Sequence, residues 1–389
     1  MKKISLVGLL FVLLLAGCAP KFEKQQEVVQ DTEESKQKAI IPKYKISDQY
    51  YRTILPFEPA KARGLVVANL NTRYDIEEFE TGLMRIAQNQ FDTDKYLFQE
   101  GQYLDSKTVE LWLNRKFTKE QLKEKGFKAS ENVGLNPLDP GKGSIEERNK
   151  KNPIYLSHIL EHDYLIKNDN NKVGLGGMTI GLALNSIHYY QKEEFGATYE
   201  VKVQNVEKEG KRIAQEVLQR LRKDSKLQDI PITIALFEQK ESNSVVPGNF
   251  IAYTNVDSGS SNIDDWKEIK EQYILFPPDQ KTENKYREDV TYFKNFKQDV
   301  EKYFPNFNGV IGRAFYVDEQ LQDLSINIPI QFYGKAEVVG FTQYVTGLVM
   351  EHFPDYYNSV QVSITSVNGP EALIVRKANQ EEPFVHIYN

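Results

Sequence analysis

Cysteine is nearly absent from this sequence, histidine is scarce, and no apolar run reaches membrane length. A single cysteine, Cys18, among 389 residues rules out a disulfide framework and any cysteine-based zinc site, so stability has to come from an ordinary core. The five histidines leave few ways to build a metal centre. Apart from one adjacent pair they are scattered, and His188, His352 and His386 read as surface or structural residues. The excess of acidic over basic side chains gives a formal charge of −6, which becomes −8 when a leader carrying Lys2 and Lys3 is removed. That balance argues against nucleic acid as a partner.

What is present begins at the amino terminus. Met1, Lys2 and Lys3 form a short positive region, and Ile4 to Leu15 is apolar but too short to span a bilayer. This is the pattern of a signal peptide occupying residues 1–17. It closes on Leu15-Ala16-Gly17-Cys18, where small residues suit a cleavage pocket between Gly17 and Cys18 and the lone thiol can accept diacylglycerol as a thioether. An ordinary leader followed by a chance cysteine is the plainer alternative. A diacyl thioether, joined by an acyl chain on the freed amine, supplies the two or more chains that stable anchoring needs.

Residues 18–45 are rich in Lys, Glu and Gln and have no aromatic between Phe22 and Tyr44, as expected for a lipid anchor followed by a disordered tether. Residues 46–150 form a partly helical α+β region. Here Ala60 to Gln90 has helical spacing, Lys95 to Leu104 alternates around Glu100-Gly101 as a hairpin would, and Ser106 is placed to cap a helix carrying Val109, Leu111 and Trp112. Asn136 to Ser144, with two prolines and two glycines, marks a boundary. The aromatic residues read first as core, and as a glycan- or peptide-binding surface only secondarily.

The remainder reads as an internal duplication, residues 151–260 and 261–389. The first copy runs from a strand at Met178, Ile180, Leu182 and Leu184 to a helix through Ile213, Val217 and Leu221. Strands follow at Ile232 to Phe237 and, past Pro247-Gly248, at Phe250 to Tyr253. The second runs from Leu324, Ile326, Ile328, Ile330 and Phe332 to a helix through Phe341, Val345, Leu348 and Val349. Its strands are Val360 to Ile364 and, past Gly369-Pro370, Leu373 to Val375. In both, a period of two hands over to a period near 3.6.

An extra strand precedes each copy, clearest at Val310 to Val317. The first copy carries an insertion near Gln191 to Val206, a connecting helix spans Tyr286 to Tyr303, and Pro329 points to an edge or a bulge. The expected fold class is α+β: mainly antiparallel sheets with helices on one face, arranged as two related β-α-β-β modules.

The sharpest catalytic candidate is His158-Ile159-Leu160-Glu161-His162, which fits the H-x-x-E-H zinc-peptidase pattern. On a helix, His158 and His162 share one face and Glu161 can serve as general base, but no third ligand is evident, so a packed helix is the plainer reading. Gly134 to Lys142 is too long for a phosphate loop, and Gly174 to Gly177 precedes a strand where a dinucleotide fingerprint follows one. Catalytic residues and bound cofactors are therefore not expected.

Behind the lipobox, Tyr51-Arg52-Thr53-Ile54-Leu55-Pro56-Phe57, Ala62-Arg63-Gly64, Thr93-Asp94-Lys95-Tyr96-Leu97 and Gly134-Leu135-Asn136-Pro137 follow in order. Tyr155-Leu156-Ser157, Gly177-Met178-Thr179-Ile180-Gly181-Leu182-Ala183, Ile230-Pro231-Ile232, Phe332-Tyr333-Gly334 and Val385-His386-Ile387-Tyr388 come after them. On these segments the sequence resembles the CamS family, the sex pheromone cAM373 precursor lipoproteins of Gram-positive bacteria. The resemblance implies acylation by prolipoprotein diacylglyceryl transferase, cleavage by signal peptidase II, and a lipid-anchored body on the outer face of the cytoplasmic membrane of a Gram-positive bacterium.

The resemblance also implies trimming of the leader to an apolar heptapeptide pheromone, here Phe11-Val12-Leu13-Leu14-Leu15-Ala16-Gly17. The family's recognised peptide begins Ala-Ile-Phe, from which Phe11-Val12-Leu13 departs, while Ala16-Gly17 is similar in character. Three readings stay open: a pheromone precursor with a non-enzymatic body, a lipoprotein binding an unknown ligand or envelope partner, and a zinc peptidase. A deep apolar cleft between the repeats would favour the second.

Overall fold

The computed structural model describes residues 26–31, 36–303, 309–331 and 334–389. The leader, the lipobox with Cys18, the heptapeptide and Phe332 lie outside the described residues. Two large sheets and a small one account for the strands.

The first sheet collects β1 (Gln26–Asp31), β2 (Lys36–Ile41), β3 (Arg52–Thr53), β4 (Tyr96–Glu100), β5 (Leu156–Lys167), β6 (Lys172–Asn185), β9 (Ile232–Gln239), β10 (Asn249–Val256) and β11 (Lys267–Glu268), with spatial order β11-β10-β9-β6-β5-β4-β3. β1 pairs with β2 and with the start of β6. β7 (Ile187–Gln191) and β8 (Thr198–Lys202) form a separate hairpin, which overlaps the insertion expected at Gln191 to Val206 and begins ahead of it. The second sheet runs in chain order through β12 (Glu271–Phe276), β13 (Ile311–Val317), β14 (Gln320–Pro329), β15 (Ser359–Ser366), β16 (Gly369–Lys377) and β17 (Phe384–Ile387).

The helices are α1 (Leu65–Asn69), α2 (Arg73–Ala87), α3 (Ser106–Leu113), α4 (Lys119–Lys125), α5 (Ile145–Lys151), α6 (Val206–Leu221), α7 (Gln280–Lys285), α8 (Arg287–Tyr303) and α9 (Lys335–His352). The duplication is plain in the pairing. β5-β6-α6-β9-β10 and β13-β14-α9-β15-β16 share one topology: an antiparallel hairpin, a helical crossover, a parallel pair and a second antiparallel hairpin. The two units build separate sheets, and the first sheet ends only at β11, close to residue 270 rather than 260.

The alternation in β6 explains how the first sheet is covered. Met178, Ile180, Leu182 and Leu184 present bulk to one face, where Ile213, Val217 and Leu221 of α6 pack. Between them stand Gly177, Thr179, Gly181 and Ala183. A Cβ on Gly181 would lie 2.8 Å from the Phe79 ring, so the small side allows α2 to lie close, bringing Phe79 and Leu83 against Ala183, Ala235 and Phe237. The helix of each module covers one face as expected, and α2 of the amino-terminal region adds a layer on the opposite face of the first sheet. The second sheet is covered on one face, by Phe293 and Phe296 of α8 and by Phe341 and Val345 of α9.

Several local expectations are corrected. Within residues 46–150, β3 and β4 join the first sheet. Part of the stretch read as a disordered tether is folded, with Val28, Ala39 and Ile41 buried. Ala60 to Gln90 holds two helices, because the Thr72 hydroxyl accepts from Asp75 N at 3.0 Å and starts a new one. Lys95 to Leu104 contributes only β4. The chain leaves the sheet at Gly101, where a Cβ would lie 2.6 Å from that of Glu161.

Asp105, not Ser106, caps α3, accepting from Thr108 N at 2.7 Å. Pro329 ends a central strand, beyond the last β13 partner at Asn327, where no ladder needs its missing N–H.

Asn136, within the glycine- and proline-rich stretch, is fully buried. Its amide donates to Leu113 O (2.8 Å) and Leu156 O (2.9 Å) and accepts from Tyr155 N and Leu156 N (both 2.9 Å), tying the end of α3 to the start of β5. Asn136→Ala leaves these backbone groups unpaired. It is expected to lower stability by about 3 kcal/mol, measured by urea unfolding of the mature body.

Candidate functional site

His158, Glu161 and His162 lie on β5, a strand and not a helix. Four residues along a strand separate the two histidines by about 13 Å, where the zinc-peptidase motif requires one helical turn. Glu161 and the histidines also face opposite sides of the sheet. His158 and His162 stand opposite Ala183 and Thr179, whereas Glu161 stands opposite Ile180. The strand gives an apolar context its own logic, since period two buries both of its faces at this point.

Each member is engaged in packing or backbone satisfaction. His158 Nδ1 is 3.3 Å from Asn69 Nδ2, and the His162 ring meets Phe98 edge-on with centroids 4.9 Å apart. Burial lowers the histidines to about 4 and about 3, keeping both neutral. Glu161 accepts from Gln102 N (3.0 Å), Tyr103 N (2.9 Å) and Leu104 N (2.6 Å), fastening the turn that leaves β4.

Asp163, on the same face, is pushed well above the usual carboxylate range by burial and then by the neighbouring Glu161 charge. A cavity of ≈ 200 Å³ lies beside this strand under Ala62, Val66 and Met84. Among the described residues no three metal-ligating side chains gather at one point.

A larger opening, ≈ 600 Å³, separates α2 from the uncovered face of the second sheet. Its position comes directly from strand alternation. Ala314, Tyr316, Leu324, Ile326, Val360 and Val362 point to the core, which leaves Arg313, Phe315, Asp323, Ser325, Ser359 and Gln361 facing the cleft. At its inner end Arg85 of α2 reaches across, with Nη2 2.6 Å from Glu78 Oε1 and 2.9 Å from Glu271 Oε2. Tyr273 donates its hydroxyl to Glu78.

The Arg85 guanidinium also lies 4.8 Å from the Phe315 centroid, and Phe315 stacks on Tyr273 at 4.6 Å. Burial raises Glu78, and the Arg85 charge opposes that rise. The cleft is polar, lined by Glu77, Glu78, Arg85, Arg313, Asp323 and Gln361 among others, and so is not the deep apolar cleft that would favour a ligand-binding body. Of its lining residues the sequence names only Pro247, as turn punctuation, although aromatics and arginine at alternate positions of solvent-facing strands are the signal that would mark the others.

Residues 57–382 match the family described as CamS sex pheromone cAM373 precursor. The C-terminal domain of the sex pheromone staph-cAM373 precursor from Staphylococcus aureus is 37% identical, with a TM-score of 0.72, covering 82% of this chain and 98% of that one. A sex pheromone precursor from Lactobacillus salivarius subsp. salivarius UCC118 is 33% identical, with a TM-score of 0.81, covering 90% of this chain and 99% of that one. No curated protein matches.

The buried histidines set a pH dependence whose sign follows from linkage. Their folded values lie below the ordinary 6.5, so the unfolded chain takes up more protons as pH falls and stability is lost below about 6.5. His162→Phe keeps a ring against Phe98 and removes one such group. Relative to the parent, it is expected to gain about 3 kcal/mol between pH 7 and pH 4 in chemical denaturation.

Proposed function

Because this chain belongs to the CamS sex pheromone cAM373 precursor family, matched over residues 57–382, we propose that it is a lipid-anchored precursor with a separable peptide and a non-catalytic binding body. The observation that carries this reading is the order of parts: a lipobox at Leu15 to Cys18 standing ahead of a family-wide folded region. In this scheme prolipoprotein diacylglyceryl transferase acylates Cys18 and signal peptidase II cuts after Gly17. The body is then held on the outer face of the cytoplasmic membrane of a Gram-positive cell. Its only attached group is the lipid.

The peptide released from the leader is Phe11-Val12-Leu13-Leu14-Leu15-Ala16-Gly17. Seven apolar residues with a small carboxyl-terminal pair suit a receptor pocket that reads shape, in which a changed aromatic position costs a few kcal/mol. Among the described residues no helix is long and apolar enough to cross a membrane. A non-catalytic body is supported by β5, where Glu161 is occupied by three backbone N–H groups. A binding role for the body is supported by the cleft, whose volume is in the range of small-molecule sites.

Cys18→Ser is expected to abolish incorporation of a fatty-acid analogue into the protein. Labelling that survives the substitution overturns the anchor. Mass spectrometry of culture supernatant is expected to find the heptapeptide, and the synthetic peptide to elicit a clumping or mating response in responder cells. Absence of the peptide removes the precursor role and leaves the body as the seat of function.

A further inference from the structure

The two arginines of the cleft are used differently. Arg85 is neutralised by Glu78 and Glu271. Arg313, on β13, has no ion-pair partner among the described residues and lies 5.6 Å from the Tyr74 centroid and 6.0 Å from that of Tyr273. A guanidinium stays charged, and its planar fork matches a carboxylate.

Beside it, in register across the sheet, come Ser325 and Gln361, a row of donors spaced by about 4.8 Å per strand. The next row holds Phe315, Asp323 and Ser359. Tyr74 and, at the rim, Tyr50 are 43% and 48% exposed, so both offer open ring surface.

From this arrangement we propose that the cleft binds an acidic saccharide, with the carboxylate on Arg313, hydroxyls on Ser325, Gln361 and Asp323, and the sugar faces on the exposed tyrosines. The floor is formed by β13, β14 and β15, all interior strands whose backbone groups are taken up by neighbours on both sides. An extended peptide that adds to a sheet edge finds no edge here, so recognition is by side chains. Glu77, Glu78 and Asp323 also line the cleft against its two arginines, which disfavours a polyanion and fits a ligand carrying isolated carboxylates. The volume of ≈ 600 Å³ lies within the range of small-ligand sites.

The inference rests on the binding role proposed for the body and not on release of the peptide. The test is calorimetric titration of the detergent-solubilised full chain with hyaluronan tetrasaccharide, chitotetraose as a neutral oligosaccharide of the same length, and trialanine. The acidic tetrasaccharide is expected to bind at least tenfold more tightly than chitotetraose. Arg313→Ala is expected to weaken it at least tenfold, and Arg313→Lys to recover part of the loss. Tyr74→Ala is expected to weaken both sugars, with thermal melting checking that each variant folds.

Equal affinity for chitotetraose, indifference to Arg313→Ala, or preference for trialanine overturns the acidic saccharide and leaves a binding body. No binding by any of the three removes the binding role with it.

Discussion

Arg85 holds the junction on which the shape of the molecule depends. The first sheet is covered on both faces, whereas among the described residues the second is covered only by α8 and α9, so the free face of the second must meet α2 through polar groups or be left to solvent. Arg85 reaches two carboxylates, one on its own helix and one on β12, and lies over the Phe315 ring. With both carboxylates buried and the guanidinium half-buried, the cluster adds little net stability against an apolar contact of the same volume, but removing Arg85 strands two buried charges. Its main effect is therefore geometric: it fixes how far α2 stands from the second sheet, and the cleft is the space that remains beyond that point.

The same alternation that makes the cores makes the cleft. A strand of period two must send every second side chain away from its helix. In β6 those residues are small, and a helix packs on them. In β13, β14 and β15 they are arginine, phenylalanine, aspartate, serine and glutamine, and among the described residues α2 reaches this face through Arg85 over Phe315 without closing the cleft. Duplicated topology has thus been put to two uses, one unit serving as the centre of a two-sided layer and the other keeping an open polar face.

Much of this was legible in the sequence because period and punctuation are local. The strands and helices of the two copies follow from hydrophobic spacing alone, as does the extra strand at Val310 to Val317. The misreadings came where a local pattern has two solutions. His158 and His162 share a face at a spacing of four in a helix and also in a strand, so the pattern alone could not distinguish them. Pro329 looked like an edge marker because the ladder it escapes belongs to another strand. The cleft was not legible at all, since Arg313, Ser325 and Gln361 are ordinary solvent-facing residues until the register of three strands sets them side by side.

β5 shows why a motif must be judged by what its residues already do. Glu161 meets three backbone N–H groups at the point where Gly101 turns the chain out of the sheet. A carboxylate so engaged is held by the fold, and freeing it for proton transfer would leave those donors buried without partners. The histidines, held neutral by burial on the other face, pack against Phe79 and Phe98. A catalytic group has to be free to change its partners, and on this strand the groups that look catalytic are the least free of all. Arg313 is the opposite case, a permanent charge facing the cleft with no ion-pair partner among the described residues and two aromatic rings within 6.0 Å, and freedom of that kind is what a ligand-binding residue requires.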